Sequence, residues 1–120
     1  MTGPAPQLTA NEVSMHLLAL ARELDRLTSA LNNEDVELAR MSEELKLADA
    51  RAFLGAEGSV DARKAIAVTQ TAELRAAVAV KEAVVRGLIR ESKALYARID
   101  VGRTHGVNLR SELKTLGVQP

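Results

Sequence analysis

The sequence predicts an all-α protein that folds as a long two-helix antiparallel coiled-coil hairpin and forms oligomers. Apolar residues recur at alternating steps of three and four along most of the chain. Side chains in such a heptad repeat form one stripe of a helix, and that stripe is stable only against a partner helix. The 120 residues include one Phe, one Tyr and no Trp, and small aliphatic side chains suit thin helical packing.

The first helix is predicted to run from residue 10 to residue 54. Thr9 is placed to cap its start, and Glu12 completes a capping box three residues later. Residues 1–8 before it contain two of the prolines and a glycine, and we expect a flexible arm there. The polar stretch 32–35 offers a turn as an alternative, but the heptad phase continues across it. One continuous helix is therefore favoured.

A turn at residues 55–59 is predicted to separate the two helices. Gly55 can take the left-handed conformation that ends a helix, and Ser59 can cap the next one. The second helix is predicted over 60–116, so the hairpin occupies 9–117 and residues 118–120 form a tail. Gly102 and Gly106 fall on the apolar stripe, and a kink near Gly102 is the alternative to a continuous helix.

The apolar stripes predict how the two helices pair. If the hairpin turns near residue 57, facing residue numbers should sum to about 115. Glu34 and Lys81 both interrupt the apolar stripe and both satisfy this sum, so we expect them to form an ion pair that marks the register. The same sum places Val13 over Gly102.

The end of the second helix is predicted to bind a partner, because the first helix begins too late to cover it. The apolar residues there share one stripe: Leu109, Leu113 and Leu116. An amphipathic segment without an internal partner implies an external one. The alternative is that Leu8 and the proline-containing arm fold over these leucines.

Charge is divided unevenly between the halves of the chain, although the net charge is zero. Residues 1–60 contain five Lys or Arg against ten Asp or Glu, and residues 61–120 contain eleven against six. An acidic helix paired with a basic one is the simpler explanation. The alternative is a nucleic-acid surface on the second helix, for which the candidate phosphate contacts are Arg86, Arg90, Lys93, Arg98, Arg103 and Arg110.

No motif predicts an enzyme, a cofactor, a metal site or a small-molecule substrate. The chain has no cysteine, and neither a phosphate-binding glycine loop nor a nucleophile elbow is present. His16 and His105 are expected at the surface or at the edge of the helix pair. The longest apolar stretch, 76–80, is far shorter than the roughly 20 residues that span a bilayer, so a cytoplasmic protein without membrane contact is predicted.

Two segments, 56–65 and 98–104, resemble small helical proteins of tailed bacteriophages and prophages, and the resemblance covers roughly residues 50–112. It implies a phage-encoded protein in the cytoplasm of a bacterial host. The expected function is a non-enzymatic coiled-coil protein that self-associates or docks on a larger protein. There are two alternatives: a nucleic-acid-associated accessory factor in phage recombination or replication that uses the basic face of the second helix, and a small virion component.

Overall fold

A computed structural model describes residues 9–117, and these residues are all-helical. Helix makes up 93% of them and no strand occurs among them. The helices are α1 (Ala10–Gly55), α2 (Val60–Gln70) and α3 (Ala72–Thr115). The all-α fold class is therefore confirmed. The predicted arm at 1–8, the predicted tail at 118–120 and the alternative in which Leu8 covers the last leucines lie outside the described residues.

The start of α1 is held by the predicted capping box. The Thr9 backbone N–H donates to the Glu12 carboxylate at 3.1 Å, and the Glu12 N–H donates to the Thr9 hydroxyl at 3.1 Å. Both bonds satisfy backbone donors that the first turn of a helix leaves free. The helix then continues through 32–35 to Gly55, so the alternative turn at that polar stretch is wrong.

The connection after α1 uses a different glycine from the predicted one. Gly58 adopts the positive φ of 107°, whereas Gly55 belongs to α1. Ser59 caps α2 as predicted, since its side chain accepts from the Ala62 N–H at 3.2 Å. Gly58 can adopt this conformation freely because it has no Cβ. It directly precedes Ser59, the residue that caps α2.

The predicted second helix is interrupted once, at Thr71, so that it forms α2 and α3. Thr71 has φ −104° and ψ 13°. The Thr71 N–H still bonds to the Ala67 carbonyl at 3.1 Å, and the Arg75 N–H bonds to the Thr71 carbonyl at 2.9 Å. The interruption is therefore a local distortion. No break occurs near Gly102, because α3 continues from Ala72 to Thr115.

The chain divides into two compact units. Of the described residues, the terminal unit contains 9–28 and 90–117, and the central unit contains 29–89. In the terminal unit a Cβ added to Gly102 would lie 2.7 Å from Leu17 Cδ2, and one added to Gly106 would lie 3.5 Å from Val13 Cγ1. The prediction that Val13 lies over Gly102 is therefore wrong by about one helical turn. Gly102 leaves space for the larger Leu17 instead.

The core of each unit is thin. In the terminal unit the buried apolar residues are Val13, Leu20, Leu27, Leu95 and Ile99. In the central unit they are Ala67, Val78 and Val85. Among residues 9–117 no large side chain is completely buried, and no helix is long and apolar enough to cross a membrane. Stability therefore depends on single stripes of side chains.

Candidate functional site

The central unit brings Glu34 and Lys81 together. Lys81 Nζ lies 2.6 Å from Glu34 Oε2, and the side chains are 25% and 32% exposed for Lys81 and Glu34, respectively. A half-buried ion pair of this kind adds little net stability, but each charge offsets much of the free-energy cost of desolvating the other. The structure thus places both residues of the predicted register pair in contact across α1 and α3.

A second polar network in the central unit surrounds the interruption at Thr71. The buried Thr71 hydroxyl donates to the Ala67 carbonyl at 2.7 Å and accepts from Arg75 Nε at 2.9 Å. Arg75 also donates to Asp49 Oδ1 at 2.6 Å. The apolar repeat did not predict this network, because each residue looks like an ordinary surface residue in the sequence. It ties α1 to the junction between α2 and α3.

We predict that Thr71→Val lowers the free energy of unfolding by about 1 to 2 kcal/mol, because it removes two hydrogen bonds from a buried site. Thr69→Val is the matched control, since the Thr69 hydroxyl makes the same kind of bond to Ala65 at 2.9 Å on an exposed surface. Urea unfolding of both variants is the measurement. Equal losses would show that burial of the Thr71 hydroxyl has no special importance.

The three leucines predicted to bind a partner differ in exposure. Leu109 and Leu113 are half-buried, and Leu116 is 76% exposed. Because Val13 lies against Gly106, Leu109 falls opposite the first turn of α1. Leu113 and Leu116 therefore extend beyond the described part of α1. We call these three residues the leucine face.

A groove lies beside the leucine face, within the terminal unit. Its volume is about 550 Å³, and nine residues line it: Ala10, Asn11, Val13, Ser14 and Leu17 from α1, with Arg103, Gly106, Val107 and Arg110 from α3. Val107 is 51% exposed in this position. The groove therefore combines an apolar floor with two cationic side chains. The sequence repeat did not predict it, because a groove depends on how two helices pair.

The candidate phosphate contacts do not form one surface. In the terminal unit they are Arg90, Lys93, Arg98, Arg103 and Arg110, all exposed. Lys93, Arg98 and Arg103 are each five residues apart. Five residues rotate the side-chain direction around the axis of α3 by about 140°. Arg86 belongs to the central unit. None of the six makes an ion pair with any residue in the described range.

Most carboxylates in the central part of α1, by contrast, are neutralised locally. Arg40 contacts both Glu37 and Glu44, and its guanidinium holds the pKa of the Glu37 carboxyl below its usual value. Counted by unit, the terminal unit has eight Lys or Arg against six Asp or Glu, and the central unit has eight against ten. The strong charge difference between the sequence halves is thus almost balanced within each unit.

An exposed apolar face on α3 is a further surface of the central unit. Its members share spacings of three and four: Ala76, Ala77, Val80, Ala83 and Val84, all exposed. Val80 is 65% exposed and Val84 is 42% exposed. From the sequence, residues 76–80 were recognised only as an apolar stretch too short to span a bilayer. Its second apolar repeat, offset from the buried stripe, is the signal that identifies it.

Histidines and potential metal ligands are not clustered within residues 9–117. His16 and His105 are exposed, and no group of three or more His, Cys, Asp or Glu side chains within 9–117 is placed to hold a metal ion. Arg63 lies over the Phe53 ring at 6.0 Å, a cation–π contact, and its buried Nε has no hydrogen-bond partner. The surfaces suited to recognition are therefore the groove and the two apolar faces.

Comparison of the chain with protein-family models, curated proteins and solved structures finds no match. The phage origin inferred from resemblance therefore stays a prediction.

Proposed function

We propose that this protein acts as a non-enzymatic helical interaction protein. It folds as an antiparallel coiled-coil hairpin and either self-associates or docks on a larger protein through its helix faces. The observation that supports this best is the leucine face, whose last member is 76% exposed. Leucines at heptad spacing on a helix end are typical of a surface that a second helix covers.

The thin core gives an energetic reason for association. A helical hairpin buries one stripe per helix, and a core of that size supplies limited stability by itself. Burying the exposed Leu116 against a partner would contribute about 1.5 to 3 kcal/mol before the cost of association, and the half-buried Leu113 would contribute less. Exposure of the alanine- and valine-rich face of α3 adds a second apolar surface. Association is therefore the favoured way to complete the fold.

We expect the double variant Leu113→Ser, Leu116→Ser to lose oligomeric state or its protein partner. Both changes remove apolar area from the leucine face without altering charge. The measurements are light scattering over a range of concentrations and capture of the partner from expressing cells. Truncation after Gly106 should have the same effect, because it removes the whole leucine face.

The matched control is Leu18→Ser, Val101→Ser. These two residues are 52% and 71% exposed and belong to the same unit, but they lie outside the leucine face. The control should keep the assembly of the unaltered protein. If the leucine variant, with its helical content intact, also keeps its assembly and its partner, the leucine face is only an amphipathic tail and the proposed function fails.

A further inference from the structure

We infer that the groove of the terminal unit accepts an acidic amphipathic helix of a partner protein. This inference rests on the proposed function and specifies the chemistry of the partner. It follows from the lining of the groove, which combines apolar residues with two exposed arginines that form no ion pair within residues 9–117.

The floor of the groove is apolar and lies between the two helices. Val13 and Leu17 of α1 and Gly106 and Val107 of α3 line it. Gly106 has no side chain to fill the groove, and Val107 is 51% exposed. On the α1 side the lining includes Ala10, whose small side chain lets another backbone approach closely. A helix with an apolar stripe is the occupant that such a floor accommodates best.

The two arginines determine the charge of that occupant. Arg103 and Arg110 are exposed, and neither forms an ion pair with the described residues. Val107 follows Arg103 by four residues and precedes Arg110 by three, so all three lie on one side of α3. Seven residues correspond to about 10.5 Å along the helix. Carboxylates at positions i and i+7 of an accompanying helix have the same separation.

A helix suits the groove better than nucleic acid does. Nucleic-acid surfaces gain affinity from many phosphate contacts and, for single strands, from aromatic stacking. The lining contains two cations and no aromatic residue. The apolar side chains of Leu17 and Val107 would gain no apolar contact from a phosphate backbone. Two carboxylates flanking an apolar stripe match both parts of the lining.

The test is binding of a labelled helical peptide to the full chain. The probe is an alanine-based helix of about 20 residues with Glu at i and i+7 and Leu at i+3 and i+4. The comparison peptide has Lys in place of both Glu. The Glu peptide should bind about tenfold more tightly, a difference of about 1.4 kcal/mol, because two attractive charge pairs replace two repulsive ones. Equal binding of the two peptides would overturn the inference.

Charge reversal locates the binding surface. Arg103→Glu, Arg110→Glu should weaken binding of the Glu peptide about tenfold and reverse the preference between the peptides. Arg90→Glu, Arg98→Glu makes the same charge change at exposed positions of the same helix that form no ion pair with the described residues. This control should change binding by less than about threefold, through long-range electrostatics alone. Equal losses of affinity for the Glu peptide in the two variants would show that binding depends only on net charge. That result would exclude the groove as the binding surface.

Three further outcomes would count against this inference, and the first of them leaves the proposed function intact. If both peptides bind equally while Leu113→Ser, Leu116→Ser still disrupts assembly, the groove inference fails and the proposed function stands. If a short double-stranded DNA displaces the Glu peptide and loses its own affinity on reversal of Arg103 and Arg110, the groove binds phosphate and the inference is wrong. It is also wrong if that reversal disrupts self-association, because the occupant is then a second copy of the chain.

Discussion

Replacing Lys81 with Ala is expected to lower the free energy of unfolding by about 2 kcal/mol. The variant leaves the carboxylate of Glu34 without its partner in a half-buried position, where the side chain is 32% exposed. Water reaches part of this carboxylate, so the loss is smaller than for a completely buried charge. Urea or thermal unfolding monitored by circular dichroism measures the change.

The control is Lys46→Ala, which also breaks an ion pair between lysine and glutamate. Lys46 and Glu43 are 73% and 70% exposed, so this pair is screened by solvent and should contribute less than about 0.5 kcal/mol. A similar loss in both variants would mean that the position of Lys81 between the helices has no special effect. The difference between the variants therefore isolates burial.

Replacing both Glu34 and Lys81 with Leu is expected to have the opposite effect on stability. Two leucines restore the apolar stripe and remove the cost of desolvating two charges, which should raise the free energy of unfolding by about 1 kcal/mol or more. The register then loses its polar marker, so we expect a mixture of oligomeric states by light scattering. A double variant that is less stable than the unaltered protein would contradict this expectation.

The two glycines on the apolar stripe of α3 should respond to substitution with opposite signs. Gly106→Ala is expected to raise the free energy of unfolding by about 0.5 to 1 kcal/mol, because alanine is the better helix former. The added Cβ would meet Val13 Cγ1 at an ordinary contact distance of 3.5 Å. Gly102→Leu is expected to lower the free energy of unfolding by about 1 to 2 kcal/mol. There even a Cβ would lie 2.7 Å from Leu17 Cδ2.

A compensating variant tests whether Leu17 causes the loss at Gly102. Adding Leu17→Ala to Gly102→Leu exchanges the large and small residues of the contact and should recover at least half of the lost stability. The two changes should therefore be non-additive, as expected for residues in contact. Additive losses in the double variant would show that the side chain at residue 102 has room elsewhere and that the two residues do not determine the register.

Part of the candidate site could be predicted from local pattern. Glu34 and Lys81 were identifiable because each breaks an otherwise regular apolar repeat, and the repeat also identified Leu109, Leu113 and Leu116. The groove was not predictable in this way. Its lining comes from positions about 90 residues apart in the chain, and the packing of α1 on α3 at Leu17–Gly102 and Val13–Gly106 brings them together.

The sequence alone determined the all-α class and the start of α1, since a heptad repeat and the Thr9–Glu12 capping box depend on residues a few positions apart. Tertiary structure decided three other features. The buried Thr71 hydroxyl and its bond to Arg75 accompany the junction of α2 and α3. Gly58, and not Gly55, took the positive φ. The pairing near Gly102 moved by about one turn from the predicted register, because a heptad stripe permits several registers and the space beside a glycine favours the one that fits Leu17.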